Sequence, residues 1–77
     1  MLYEIWETTT INLVASFRDR REALAAVLDA MARNGPKSIT TLALEIEDDE
    51  GNITSVARGQ ELADLALREL GALPLAG

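Results

Sequence analysis

The sequence contains no cysteine and no histidine, and it has a single Phe, a single Trp and a single Tyr. Without cysteine there is no disulfide framework and no thiolate nucleophile. A tight zinc or iron site is not expected either, because carboxylates are the only anionic ligands left. Small secreted domains usually depend on disulfides, so these absences favour a cytoplasmic protein.

Basic residues are scarce as well. Lys and Arg number 7 against 13 Asp and Glu, which gives a net charge of −6. Residues 37–77 carry most of the excess, with three basic residues against eight acidic ones. Nucleic-acid binding needs a basic surface, so we do not expect it, whereas a basic protein partner is compatible with this charge. No apolar run is long enough for a signal peptide or a membrane span, and no membrane association is expected.

The acidic stretch EIEDDEGNIT, residues 45–54, raises the question of a calcium loop. An EF-hand loop has glycine at position six and oxygen ligands at positions one and twelve. With Gly51 at position six, Ile46 and Ala57 occupy those two ligand positions, and both are apolar. The stretch therefore predicts a hairpin turn, and we expect no metal site and no cofactor.

No catalytic signature accompanies these absences. Neither GxSxG nor SxxK occurs, and the glycines are too scattered to form a phosphate-binding loop. We therefore expect no enzymatic activity and name no catalytic residue. A small hydrolase or isomerase built from carboxylates stays as an alternative, and a deep pocket that contains a buried acid would favour it.

Hydrophobic periodicity predicts six elements. Alternating segments predict strands at residues 2–7, 11–17, 39–47 and 53–57. A helix follows the first pair, with Asp19 and Glu22 at capping-box spacing and an end at Gly35 and Pro36. A second helix spans residues 60–70 and ends at Gly71. The predicted fold class is α+β, ββαββα, a four-stranded and mainly antiparallel sheet with two helices on one face.

Residues 1–71 are predicted to form one domain, and residues 72–77 a short tail that frays or docks on a partner through Leu73 and Leu75. The two halves show a weak internal sequence similarity, here called the echo: YEIWE resembles LEIED, and REALA resembles QELAD. Either a duplicated ββα unit or chance explains the echo, because hairpin-and-helix units share composition. Loop lengths do not select the order of the strands.

Period-two alternation assigns the strand residues to two faces of the sheet. We expect one face to carry Tyr3, Ile5, Leu13, Ala15 and Phe17, and the other to carry Leu2, Glu4, Trp6 and Val14. In the second hairpin Leu42, Leu44 and Ile46 share a face, opposite Thr41, Ala43 and Glu45. A register slip of one residue would exchange the faces and turn Trp6 into a core residue.

Two groups of residues are candidates for an interface. Leu2, Trp6 and Val14 form an apolar patch on the sheet face away from the helices. Arg18, Arg20 and Arg21 surround the start of the first helix, where an anion or the acidic turn of a second copy could bind. The alternative for these arginines is a solvated or salt-bridged surface. A thin core and an open sheet also predict a homodimer.

Four segments, YEIWETTTINLVASF, FRDRREALAAV, LALEIEDDEGN and VARGQELADLAL, together resemble a type of short stand-alone bacterial protein without assigned function. A weaker similarity is to HicB-like antitoxins, small acidic proteins with a sheet and an EAL-containing helix, here Glu22, Ala23 and Leu24. This chain has two strands before the helix where those antitoxins have three. The resemblance carries no functional residue over to this chain.

These observations predict a small cytoplasmic protein-interaction or regulatory module that forms homodimers. The alternative that follows from the second resemblance is an antitoxin-like inhibitor whose acidic half binds a basic enzyme.

Overall fold

A computed structural model of the protein describes residues 1–71, and it confirms the predicted α+β class and the ββαββα order. The predicted tail, with Leu73 and Leu75, lies outside the described residues. The elements are β1 (Leu2–Glu7), β2 (Asn12–Phe17), α1 (Arg20–Asn34), a 3₁₀ turn (Pro36–Ile39), β3 (Leu42–Glu47), β4 (Ile53–Arg58), α2 (Gly59–Ala66) and a π-helical turn (Leu67–Gly71).

The four strands form one antiparallel sheet in the order β2-β1-β3-β4. The first strand of each hairpin is therefore central, and the second strand of each hairpin is an edge. Helix α1 packs on β1 and β2, while α2 packs on β3 and β4. Ile5, Leu44 and Ala57 join both helices in one core, so the two helices cover the same face of the sheet.

The core is a single layer between this face and the helices, as expected for so short a chain. Its largest fully buried side chains are Leu24, Val27, Ile39, Leu44 and Leu62. Small residues separate them: Ala23, Ala63 and Ala66 are buried on the helices. These alanines let the helices approach the sheet closely, which suits a core with few large side chains.

The third strand begins later than predicted, because Ile39 is not part of it. Ile39 ends a 3₁₀ turn that begins at Pro36, and β3 begins only at Leu42. The Ser38 N–H donates to the Gly35 carbonyl at 3.1 Å, and the Thr40 N–H donates to the Lys37 carbonyl at 3.2 Å. The turn buries Ile39 beneath the helices. The residue is apolar because it belongs to the core, which alternation alone cannot distinguish from a strand position.

Leu13 was assigned to the wrong face. A β-bulge separates the Ile5–Ala15 pair from the Trp6–Leu13 pair, so Val14 is the extra residue of β2. Leu13 therefore shares the face of Trp6, while Ala15 stays with Ile5. The cause is the bulge itself, because an inserted residue shifts the alternation beyond it and leaves no distinct sequence signal.

The helix ends follow the prediction in part. Asp19 is the N-cap of α1 and accepts a hydrogen bond from the Arg21 N–H at 3.2 Å. Among the described residues Glu22 makes no return bond, so only half of the capping box forms. Gly35, at φ 89° and ψ 161°, ends the helix in a conformation that is essentially reserved for glycine. The second helix was predicted to run to residue 70, but α2 ends at Ala66, and Leu67 in the π-helical turn that follows is exposed.

The two ββα units occupy equivalent positions on either side of the centre of the sheet, which lies between β1 and β3. The echo aligns Glu4 with Glu45, and in the β1–β3 ladder these two residues are direct partners. Tyr3 pairs with Ile46 and Ile5 pairs with Leu44, symmetrically about them. Two glutamates consequently meet at the middle of the sheet.

Candidate functional site

The surface of the sheet away from the helices, here called the open face, carries three transverse rows of side chains. Trp6, Glu4 and Leu2 alternate along β1 and define the rows. Cross-strand pairing gives the members of each row: Leu13, Trp6, Ala43 and Arg58 in the first, Ser16, Glu4, Glu45 and Ser55 in the second, and Leu2, Glu47 and Ile53 in the third.

Trp6 lies in the first row, so its predicted position away from the helices is confirmed by its pairing with Ala43. It lines an open cleft of about 290 Å³ together with Glu7, Thr8, Ile11, Ala43, Glu45 and Arg58. The indole Nε1 is buried and has no hydrogen-bond partner within residues 1–71. Buried indole N–H groups usually find an acceptor, so this donor is an exception.

Glu4 is the buried charged residue of the described chain, with only 8 % of its surface exposed. It lies between Ser16 on β2 and Glu45 on β3. The ion pairs among the described residues are Met1–Asp49, Arg20–Glu69 and Asp29–Arg33, so neither Glu4 nor Glu45 has a cation partner there. Like charges directly opposite each other destabilise a sheet. The central row of the open face is thus unfavourable for the isolated fold.

Ile11 projects from the β1–β2 turn into the same cleft and is 77 % exposed. Its φ of 58° is the one positive φ among the non-glycine residues described. A β-branched residue in this left-handed region is a true conformational outlier, because its side chain crowds the following carbonyl. Its exposure to solvent and its strained backbone both make this isoleucine unfavourable for the stability of the isolated chain.

Glu7 holds the turn that carries Ile11. Its Oε1 accepts hydrogen bonds from the Thr10 N–H at 2.8 Å and from the Thr10 hydroxyl at 3.0 Å. Hydrogen bonding from the Thr41 side chain, and then from Thr10, lowers the pKa of Glu7 to about 2. The ionised carboxylate is therefore the form that organises the turn.

We expect the Glu7 contribution to stability to disappear in acid. Its pKa in the fold, about 2, lies below the ordinary 4.5, so the contribution is complete above pH 4.5 and is lost as the pH falls through about 2. Urea unfolding of the wild type and of Glu7→Gln between pH 7 and pH 2 measures this. The free-energy difference should be constant at neutral pH and shrink toward pH 2; a difference independent of pH would contradict the assignment.

The acidic stretch forms a turn, as predicted. The Asp48 Oδ1 accepts hydrogen bonds from the backbone N–H groups of Glu50 and Asn52, both at 2.9 Å. These bonds, with Asn52 the larger cause, lower the pKa of Asp48. Gly51 has a φ of 84°, which the turn requires. Within residues 1–71 no three acidic side chains converge as a metal-binding group.

The arginines at the start of α1 do not form one cluster. Arg20 reaches the π-helical turn and pairs with Glu69 through two bonds of 2.7 and 3.0 Å. That hydrogen bonding by Arg20 lowers the pKa of Glu69. Arg18 and Arg21 are exposed. The guanidinium of Arg20 therefore links α1 to the π-helical turn that follows α2, which is the salt-bridged alternative.

Of the predicted interface residues, Leu2, Trp6 and Val14 belong to the open face or its β2 edge, where Val14 is exposed. Whether this surface is an interface stays a prediction. The sequence reasoning missed Glu4, Glu45 and Ile11. Alternation placed both glutamates away from the helices, but their pairing depends on strand order. The positive φ of Ile11 has no sequence signal, since asparagine or glycine is the usual residue there.

The described residues include no helix long and apolar enough to cross a membrane. Comparison with protein-family models, with curated protein sequences and with solved structures found no match to this chain.

Proposed function

We propose that this chain is a small non-enzymatic protein-interaction module that binds a partner through the open face of its sheet. The observation that supports this is the convergence of three unfavourable features on one surface. They are the unpaired Glu4–Glu45 carboxylates, the unsatisfied Trp6 indole and the strained, exposed Ile11. Sequences generally agree with their folds at every level, and violations concentrate at functional sites.

Exposed apolar side chains add to this support. Leu13 is 47 % exposed beside Trp6, and Val14 and Ile53 are also exposed at the sheet edges. Aromatic and aliphatic groups beside a polar row are typical of protein interfaces. The alternative of a carboxylate enzyme has a buried acid in its favour, but Glu4 lies on an open sheet surface and does not line the neighbouring cleft.

Photo-crosslinking tests the proposed surface with a matched pair of leucines. Leu13 on the open face and Leu67 beyond α2 are exposed to 47 % and 46 %. A benzophenone amino acid replaces each in turn, and the variants are irradiated in the native cells. We expect a protein adduct from position 13 and none from position 67. Equal yields from the two positions, or none from position 13, would refute the proposal.

Self-association through a sheet edge is the second part of the proposal. Strands β2 and β4 are the edges, and β2 carries no charged residue, although charges commonly protect edge strands from pairing. Edge pairing joins two copies and leaves both open faces accessible. Light scattering at micromolar concentration should give twice the chain mass of 8.3 kDa. A strictly monomeric mass contradicts the homodimer and leaves the open-face proposal standing.

An antitoxin-like role, in which the module inhibits a basic enzyme, is the candidate that the charge of the open face favours. Among the paired strand residues described, its acidic members are Glu4, Glu45 and Glu47, and its basic member is Arg58. A cytoplasmic location fits the cysteine-free sequence and belongs to this proposal.

A further inference from the structure

The central row of the open face has the composition of a receptor for a cation. Two serines, Ser16 and Ser55, flank two glutamates, Glu4 and Glu45, across the four strands. Side chains directly opposite on neighbouring strands have Cβ atoms roughly 5 Å apart. Two carboxylates at that separation can both contact one planar cation placed above them.

Glu4 is more than nine-tenths buried, and this distinguishes the row from an ordinary acidic surface. Most of the residue is covered, but its carboxylate oxygens are not among the buried atoms that lack a partner, so they reach the surface of the open face, where a cation from another molecule can contact them. Within residues 1–71, Glu4 takes part in none of the ion pairs and accepts no side-chain hydrogen bond. Arg58 lies on the same face in the row of Trp6, and it forms no ion pair with Glu45.

The rows on either side of these carboxylates are suited to the rest of a bound segment. Trp6 and Leu2 lie two residues from Glu4 on the same strand, roughly 7 Å away along it. An indole ring attracts a guanidinium held against its face, and the leucine offers an apolar surface to an aliphatic neighbour. Arginine fits this site better than lysine because its fork can donate to two carboxylates at once.

A second copy of the chain does not fit the open face. From its paired strand residues, each copy would bring three glutamates, Glu4, Glu45 and Glu47, against the same three of its partner, with Arg58 as the arginine among those residues to offset them. The net charge of −6 adds a general repulsion. The occupant must carry positive charge of its own.

We infer that the open face binds an arginine-bearing segment of a basic partner protein, with the guanidinium between Glu4 and Glu45 and the flanking apolar side chains on Trp6 and Leu2. This inference rests on the proposed function, since it names the chemistry of the partner at the same surface. Glu4 and Glu45 provide the charge recognition, and Trp6 reports occupancy because it is the only tryptophan in the chain.

A blocked hexapeptide of alternating leucine and arginine is the probe, titrated into the full chain while Trp6 fluorescence is recorded. We expect saturable binding that weakens in high salt. Glu4→Gln should weaken binding by about tenfold or more, because hydrogen bonds to charged groups are involved. The same peptide with citrulline for arginine keeps the shape without the charge and should lose affinity equally.

Glu61→Gln is the matched control, since it removes an equal charge from an exposed position on α2. It should leave affinity within about twofold. The Glu4→Gln variant should also have a higher thermal midpoint than the wild type, because it relieves the opposed carboxylates. Should Glu4→Gln fail to fold, Glu45→Gln takes its place in the titration.

Equal loss of affinity in Glu4→Gln and Glu61→Gln would mean unspecific attraction and would overturn the inference. So would equal binding of the citrulline and arginine peptides, or no binding of the arginine peptide at all. If the adduct from position 13 persists in such a case, the open face is still an interface and the proposed function stands. Absence of both the adduct and peptide binding removes both.

Discussion

Replacing Leu44 by alanine is expected to lower the free energy of unfolding by about 3 kcal/mol, the usual cost of truncating a fully buried leucine. Leu44 lies on central strand β3, pairs with Ile5 and is 0 % exposed. A domain of this length has a total stability of roughly 4 to 12 kcal/mol, so the loss is a large part of it. Urea unfolding followed by circular dichroism measures the difference, and the thermal midpoint should fall by roughly 15 °C.

The control is Leu67→Ala, the same substitution at an exposed position after α2. Its expected effect lies within about 0.5 kcal/mol, as for most surface changes. Similar losses for the two variants would show that Leu44 is not on the covered face. Leu44 and Glu45 are successive strand residues, so their side chains point to opposite faces of the sheet. If Leu44 is not on the covered face, Glu45 is not on the open face, and the basis of the proposed site is lost.

Replacing Ile11 by asparagine is expected to stabilise the protein by about 1 kcal/mol. The left-handed backbone at φ 58° is costly for a β-branched residue and tolerable for asparagine. Little burial is lost, because Ile11 is largely exposed. The thermal midpoint should rise by roughly 5 °C. If Ile11 contacts the partner, the stabilised variant should give less adduct from the crosslinker at position 13.

Ile53 provides the matched comparison. It is also an exposed isoleucine, but it lies in β4 and is not among the residues with positive φ. Asparagine is unfavourable in strands, so Ile53→Asn should destabilise the protein where Ile11→Asn stabilises it. Loss of stability in both variants would mean that the backbone at Ile11 carries no strain, and one of the three supports of the open face would be withdrawn.

Much of the fold could be predicted because the signals were local. Two local signals fix α1 within one stretch of sequence: the capping aspartate Asp19 at its start and Gly35 at its end. Asp48 and Gly51 likewise specify the turn between β3 and β4 with their own hydrogen bonds and dihedrals. Such features depend on residues a few positions apart, so a single sequence contains them completely.

The candidate site could be predicted only in part. Trp6 was placed on the open face, but Leu13 joined it through a bulge that alternation does not reveal. Ile39 has the composition of a strand residue and is buried in a 3₁₀ turn. Arg20 is salt-bridged, as one of the two alternatives had it, but its partner Glu69 lies 49 residues away. Each of these features depends on a contact between distant segments or on an irregularity of the backbone.

The sequence by itself determined the order along the chain of the four strands and two helices, which residues of each regular strand segment share a face, and the acidic character of the chain, since these follow from residue type and spacing. Only the tertiary structure decided that β1 and β3 are neighbours, and thereby that Glu4 meets Glu45 beside Trp6. The physical reason is that antiparallel hairpins can be joined in more than one order with similar burial, and the loops are long enough for several. The pairing of two carboxylates is therefore a property of the assembled sheet, which neither strand specifies alone.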